Sequence, residues 1–441
     1  MAISPARLAA FNILLRVERE SAYAVELLHS PLVDELPVVD RHLAMELVMG
    51  VLRWRSVLDH SIAELSFTPF RKLDLEVLTA LRMGVYQKRF LTRIPAHAAV
   101  NETVELVKQA KKASAAGLVN AVMRKVKPGF DPHESKLTGA DYLAAALAHP
   151  RWLVERWIEN LGYGRANVIC EYDQRVPATV LRLNAKEAED ELVREGIQLA
   201  PGALMKTARV VKAGDVTAAS AFRAGKVAIQ DEASQLVAAL MGDGGGRRIL
   251  DCCAAPGGKT GALAARWPDT AIFAAELHPH RARLLRRLAP QSNVHVVAAD
   301  ALHLPFAGGF DRVLADVPCS GTGTLARNPE IKWRLRPGDL QDLQARQIAI
   351  LRAAMGHAVP GGRVVYSTCS LEREENEDVV AECLRGTADF AIIPVQDELE
   401  RLRQAGELVC ERDDQLVSGQ FLRTIPGVPG DGFFAAMLAR R

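Results

Sequence analysis

No run of about 18 apolar residues occurs anywhere in this 441-residue chain, so a membrane-spanning helix is not expected. The first apolar stretch, Ala9–Leu15, is broken by Asn12 and followed at once by Arg16, Glu18 and Arg19, so it does not read as a secretory signal. Cysteine is sparse and irregular: seven residues, at 170, 252, 253, 319, 369, 383 and 410. An odd number at wide spacing argues against a disulfide framework and for a reducing, cytoplasmic setting. There is no Cys-x-x-Cys pair and no His/Cys cluster with zinc-like spacing, so no metal is expected. The pattern G-x-G-x-x-G is also missing, which disfavours a nicotinamide dinucleotide. Disorder is excluded by what is present: 49% hydrophobic and 24% charged residues can bury a core.

Nor is there an excess of charge of one sign; 55 Lys and Arg face 53 Asp and Glu, a net of +2. That sum hides an asymmetry. Residues 1–127 carry 18 basic against 13 acidic side chains, leaving the remainder at −3, and Arg82–Lys127 alone counts 10 against 2. A basic stretch of this size fits a polyanion-facing surface or a solvated helical face equally well.

The length predicts two or three domains. Over 4–127, Val100, Val104 and Val107, then Leu118, Val122 and Val126, recur at helical spacing, while Pro31, Pro37, Pro69 and Pro95 cut the segment into short helices. The expectation is an all-α bundle over 1–130, with a linker at 128–132. A small mixed α/β connector follows over 131–240, with helix at Tyr142–Leu161 and strands at Pro177–Asn184 and Val227–Gln230. Over 241–441, apolar runs at Ile249–Cys253, Ala271–Ala275, Val294–Ala299, Arg312–Ala315 and Arg363–Tyr366 alternate with helical stretches such as Pro279–Leu288, Asp339–Val359 and Glu374–Leu384. Short buried strands alternating with helices predict a doubly wound, Rossmann-like α/β sheet, which binds ligands at the carboxyl ends of its strands.

Those ends carry the chemistry. After the first comes Asp251-Cys252-Cys253-Ala254-Ala255-Pro256-Gly257-Gly258-Lys259-Thr260, small residues that let a ligand approach the backbone where a helix begins. Gly258-Lys259-Thr260 mimics the end of a phosphate-binding P-loop, but the required first glycine is Cys253, leaving an NTPase a minor alternative. The second strand ends in Glu276, suited to a ribose diol, and the third in Asp300, suited to an adenine edge. Singly each is an ordinary surface acid; together they favour an adenine-nucleoside cofactor. The fourth ends in Asp316-Val317-Pro318-Cys319 and the fifth in Thr368-Cys369, so two thiols face one crevice. The other five cysteines are expected to be small buried hydrophobes.

These segments resemble the Sun-type RNA cytosine-5 methyltransferases: DCCAAPGGKT (251–260), ADVPCSGTGTLARNPEIKW (315–333), STCSLEREENE (367–377), QDEASQLVA (230–238) and GDGFFAAMLAR (430–440). DRHLAMELVMGVLRWRSVLDH (40–60) and PAHAAVNETVELVK (95–108) are similar to the NusB-like RNA-binding domain. The combination implies a class I methyltransferase fold preceded by an RNA-binding bundle, with S-adenosyl-L-methionine as cofactor and 16S ribosomal RNA as partner. It implies cofactor contacts from Cys253, Ala254, Ala255, Pro256, Gly257, Gly258, Lys259, Glu276, Asp300 and Asp316. Glu276 departs from the family's more frequent Asp, though either acid holds a ribose diol. A monomer with no membrane or metal partner is expected. A tRNA substrate, or an RNA- or factor-binding adaptor on an inactive sheet, are the alternatives.

Cytosine C5 is a poor nucleophile, so its methylation calls for a thiolate that adds to C6, a group that stabilises charge at N3 and N4, and help in breaking the adduct. Asp316 suits the ring nitrogens, and Lys259 is the nearest cation that could favour a thiolate or orient Asp316. Spacing does not choose between the thiols. In DNA cytosine-5 methyltransferases the Pro-Cys thiol attacks, which would be Cys319; the RNA family's pattern makes Cys369 the nucleophile and gives Cys319 product release. Arg327 and Lys332 in RNPEIKW suit a grip on the RNA backbone or simple solvation.

Overall fold

The computed structural model describes residues 3–243 and 248–441. They form two compact units, Met1–Val176 with Leu325–Leu335, and Pro177–Thr324 with Arg336–Arg441.

The first unit is helical. Its main helices are Pro5–Glu20, Val38–Arg53, Arg55–Leu65, Leu75–Phe90, Ala96–Gln109 and Ala116–Lys125, then Arg151–Leu161 and Tyr163–Asp173. Prolines punctuate it as expected. Pro5 occupies the first turn of its helix, and Pro37 and Pro95 stand directly before theirs, where a missing N–H costs nothing. The helical-period residues converge on one core holding Ile13, Leu47, Leu81, Val107 and Val122, with Val100, Val104 and Leu118 packed against it.

The second unit opens with a small antiparallel sheet of β1 (Val180–Leu183), β2 (Gln198–Pro201), β3 (Ala208–Ala213) and β4 (Val227–Ile229), in the order β2-β3-β1-β4. Then come β5 (Arg248–Asp251), β6 (Ala271–Glu276), β7 (Val294–Ala298), β8 (Phe310–Asp316) and β9 (Ala358–Thr368), parallel in the order β7-β6-β5-β8-β9. β10 (Phe390–Ile393), β11 (Val417–Ser418), β12 (Phe421–Arg423) and β13 (Phe434–Arg440) extend the β9 edge with antiparallel pairings.

The alternation of side chains explains why the central parts of the parallel strands are apolar on both faces. Ile249, Leu314, Val365 and Ala435 enter one core, covered by the helices Glu232–Ala239, Gly258–Arg266 and Val395–Gln404. Their neighbours Leu250, Val313, Val364 and Phe434 enter another, covered by Asp339–His357 and Glu377–Leu384. The chain order reverses at β5, so the crevice of this doubly wound sheet lies at the ends of β5 and its neighbours.

Candidate active site

Beyond β5 the chain turns through 252–257 into the helix Gly258–Arg266. Gly257 caps that helix at φ 116°, and a Cβ there would stand 2.9 Å from Leu285 Cδ1, so the turn accepts no side chain. Two backbone bonds hold the loop to the sheet: the Cys252 N–H donates to Leu314 O and the Ala254 N–H to Ala275 O, each at 2.9 Å. Ala254 is buried and Pro256 exposed, with Cys253, Ala255 and Gly258 between. Burial pushes the Cys252 and Cys253 thiols up, as suits two uncharged loop residues.

Asp251, at the end of β5, is buried. Thr260 Oγ1 donates to its Oδ2 at 2.7 Å, while Oδ1 has no partner among the described residues. Burial, helped by the Asp316 charge, raises its carboxyl to about 7, against the Thr260 hydrogen bond, Lys259 and the nearby Cys253 N–H. An orphaned buried acceptor beside a glycine turn fits a bound ammonium such as that of S-adenosylmethionine. At the next strand ends, Glu276 is buried and accepts the His278 N–H at 2.9 Å, and Asp300 is exposed and accepts the Leu302 N–H at 3.0 Å.

The β8–β9 register sets Asp316 beside Ser367. Asp316 takes 2.7 Å hydrogen bonds from Lys259 Nζ on Oδ2 and from Ser367 Oγ on Oδ1, and Lys259 Nζ lies 4.8 Å from the centre of the Phe433 ring. Lys259 is thus bound to Asp316, the plainer of the two uses open to it, and not to either thiol. Just beyond Asp316 and Ser367 on their strand ends, the two thiols meet: Cys319 Sγ lies 3.1 Å from Cys369 Sγ and accepts the Cys369 N–H at 3.2 Å. The contact with Cys369 and burial together hold the Cys319 thiol well above its ordinary range. Gly323 closes the loop against Cys369, donating its N–H to Cys369 O at 2.9 Å; a Cβ there would stand 2.2 Å from Gly432 O.

Sequence reasoning missed the group beneath this pair. Glu375, fully buried, accepts the Ser320 N–H and Gln347 Nε2, both at 2.8 Å, and the hydroxyls of Ser320 and Ser370. One carboxylate therefore joins the residue after each thiol. Nothing in LEREENE marks Glu375 apart from its neighbours; only the turn geometry selects it.

Lys332 is a correction. It is no phosphate grip: it is 1% exposed inside the helical unit, and its Nζ donates to Arg53 O and Ala148 O at 2.9 Å each. Trp333 Nε1 donates to Leu52 O at 2.6 Å, and Glu330 Oε1 accepts the Ala24 N–H at 2.9 Å. The polar composition of RNPEIKW reflects carbonyls and N–H groups that need partners.

Residues 239–439 match the family described as 16S rRNA methyltransferase RsmB/F, and residues 4–128 match the NusB family. A probable ribosomal RNA small subunit methyltransferase B of Bacillus subtilis (strain 168) is 33% identical over 398 residues, covering 86% of this chain and 88% of that protein. The ribosomal RNA small subunit methyltransferase B of Pseudomonas putida is 33% identical over 386 residues, covering 85% and 86%. Among solved structures, PH0851 shares the fold at a TM-score of 0.81 and 22% identity, over 99% of both chains. A methyltransferase homolog protein from Pyrococcus horikoshii matches at a TM-score of 0.56 and 26% identity, over 69% of this chain and all of that one.

Proposed function

The chain belongs to the RsmB/F family of S-adenosylmethionine-dependent rRNA methyltransferases, and from that premise we propose that it methylates C5 of a cytosine in 16S ribosomal RNA through a covalent cysteine adduct. The observation that carries this reading is the pair of thiols 3.1 Å apart, next to a carboxylate held by Lys259 and Ser367. An amine-methylating site has no use for two thiols.

In this proposal Asp316 binds the N3–N4 edge of a cytosine drawn out of its stack, fixed in place by its two partners. The Cys369 thiolate adds to C6, opening the C5–C6 double bond and placing electron density on C5. The bound cofactor supplies the methyl group that C5 takes up. Solvent water acts as the base that takes the C5 proton, and the freed electron pair restores the double bond and expels Cys369 as thiolate. Cys319 keeps its proton at neutral pH and donates an S–H bond to the departing sulfur, which makes it a release residue. Glu375 holds both thiol-bearing turns at one separation.

Adduct trapping on a 16S rRNA transcript tests the assignment. Cys319→Ala is expected to accumulate a covalent protein–RNA complex, and Cys369→Ala to form none and lose turnover. The reverse pattern exchanges the roles. Methylation found only on tRNA, or at a position other than C5, overturns the substrate.

A further inference from the structure

The helix Pro279–Leu288 carries Arg281, Arg283, Arg286 and Arg287 and no carboxylate, and His278 and His280 stand at its start. Its apolar side is used: Ala282, Leu285 and Ala289 are buried, with Leu285 and Ala289 packed on Ala254 and Ala274. At 3.6 residues per turn the opposite ridge is His280, Arg283 and Arg287, all exposed, with Arg286 exposed on one flank. Among the described residues no carboxylate pairs with any of these four arginines; Arg286 makes only a 3.4 Å contact to Val296 O. Four like charges on ten residues repel one another by a few tenths of a kcal/mol per neighbouring pair. The helix tolerates this with no internal counter-charge, in a unit whose remaining charge is not basic.

We infer that this helix is a phosphate-binding element of the enzyme, with the sugar–phosphate backbone of the RNA substrate as its occupant. The ridge is linear, cationic and rich in planar guanidinium groups, which matches a strand of phosphates. The helix starts three residues after Glu276, so its first turn lies at the strand-end side of the sheet and the ridge leads away from there. The inference rests on the RNA substrate proposed above.

The test uses the full chain and a 16S rRNA transcript, measuring affinity from low to moderate salt. Arg283→Gln with Arg287→Gln is expected to lower the slope of log affinity against log salt by about two, one for each lost phosphate contact. KM for RNA should rise, with kcat and S-adenosylmethionine affinity unchanged. Arg283→Lys with Arg287→Lys should keep the slope, since a point charge suffices for a phosphate. An unchanged slope in the Gln variant overturns the inference. So does a Lys variant as impaired as the Gln variant, because the helix and not its charge would then matter. A wild-type protein that binds the transcript with the expected slope but never methylates it would sink the proposed function and leave this one standing.

Discussion

Lys332 in the helical unit and Lys259 beyond β5 of the second unit sit in equally polar, motif-like segments, yet are put to opposite uses. Lys332 is enclosed, its amine divided between two backbone carbonyls. Lys259 holds a carboxylate at the mouth of the strand ends. The same contrast runs through the charges of the two units. In the helical unit Arg82 is buried against Asp59, with a 2.6 Å bond, and near Glu18; Arg7 meets Glu102 at 3.0 Å; Lys108 meets Glu105 at 2.7 Å and Lys112 meets Asp74 at 3.0 Å. On the helix Pro279–Leu288 of the second unit the arginines have no such partners among the described residues. Net charge therefore misidentifies the more available cations: the basic half pairs many of its own internally, and an outward cationic ridge lies in the half that sums to −3.

The largest expected effect breaks the interior lysine. Lys332→Met leaves two buried carbonyls without a donor, at about 1–3 kcal/mol each, partly offset by removing a buried amine. Thermal unfolding should show a Tm lower by roughly 5–10 °C. An unchanged Tm would mean that the carbonyls find other donors. Lys259→Met is the counterpart: methyl transfer should fall by about a hundredfold, as when one positioned donor is removed from an active site, with little change in Tm. A variant that loses Tm and keeps activity would reverse the comparison.

The pH dependence of stability reports on the enclosed Lys332. Burial lowers the Lys332 ammonium to about 7, chiefly by desolvation, against the attraction of Asp173. The unfolded chain keeps that proton to about 10.4. Between those values the unfolded state binds more protons, so stability gains at most about 1.4 kcal/mol per pH unit as pH rises. Below pH 7 both states are protonated and the cost of the buried charge is fully present. In denaturant titrations, wild type should gain about 2 kcal/mol relative to Lys332→Met between pH 7 and pH 9; parallel curves would refute it. The smallest effect is expected from Lys108→Gln, Lys111→Gln and Lys112→Gln combined. Two of the three already have acidic partners, so the salt slope for RNA should change by about one or less, below that of the Arg283 and Arg287 pair.

Much of the site was legible because it rests on local rules. A short apolar run followed by small residues, glycine and then a helical stretch can hardly be anything but a strand entering a ligand-binding turn. That pattern places Asp251 at the end of β5, while the later apolar runs place Glu276, Asp316 and Thr368 at the ends of β6, β8 and β9 and Asp300 two residues past β7. Arg363–Tyr366 marks only the inner part of β9, because Pro360-Gly361-Gly362 resembles a turn although the strand runs through it. Glu375 and Lys332 were not legible for a shared reason. A buried charged side chain is written in the same letters as an exposed one, and burial depends on which distant backbone groups need a partner.

Periodicity and local backbone preference already dictate the alternation of strands and helices, the helical period of the first unit and the residue types at each strand end. Only the tertiary structure decided that the two thiols stand 3.1 Å apart, that Lys259 binds Asp316, and that residues 325–335 belong with the helical unit. It also decided which cations are neutralised. Those outcomes depend on parallel register and on pairings between residues tens to hundreds of positions apart, where electrostatics acts through distance in space and not along the chain.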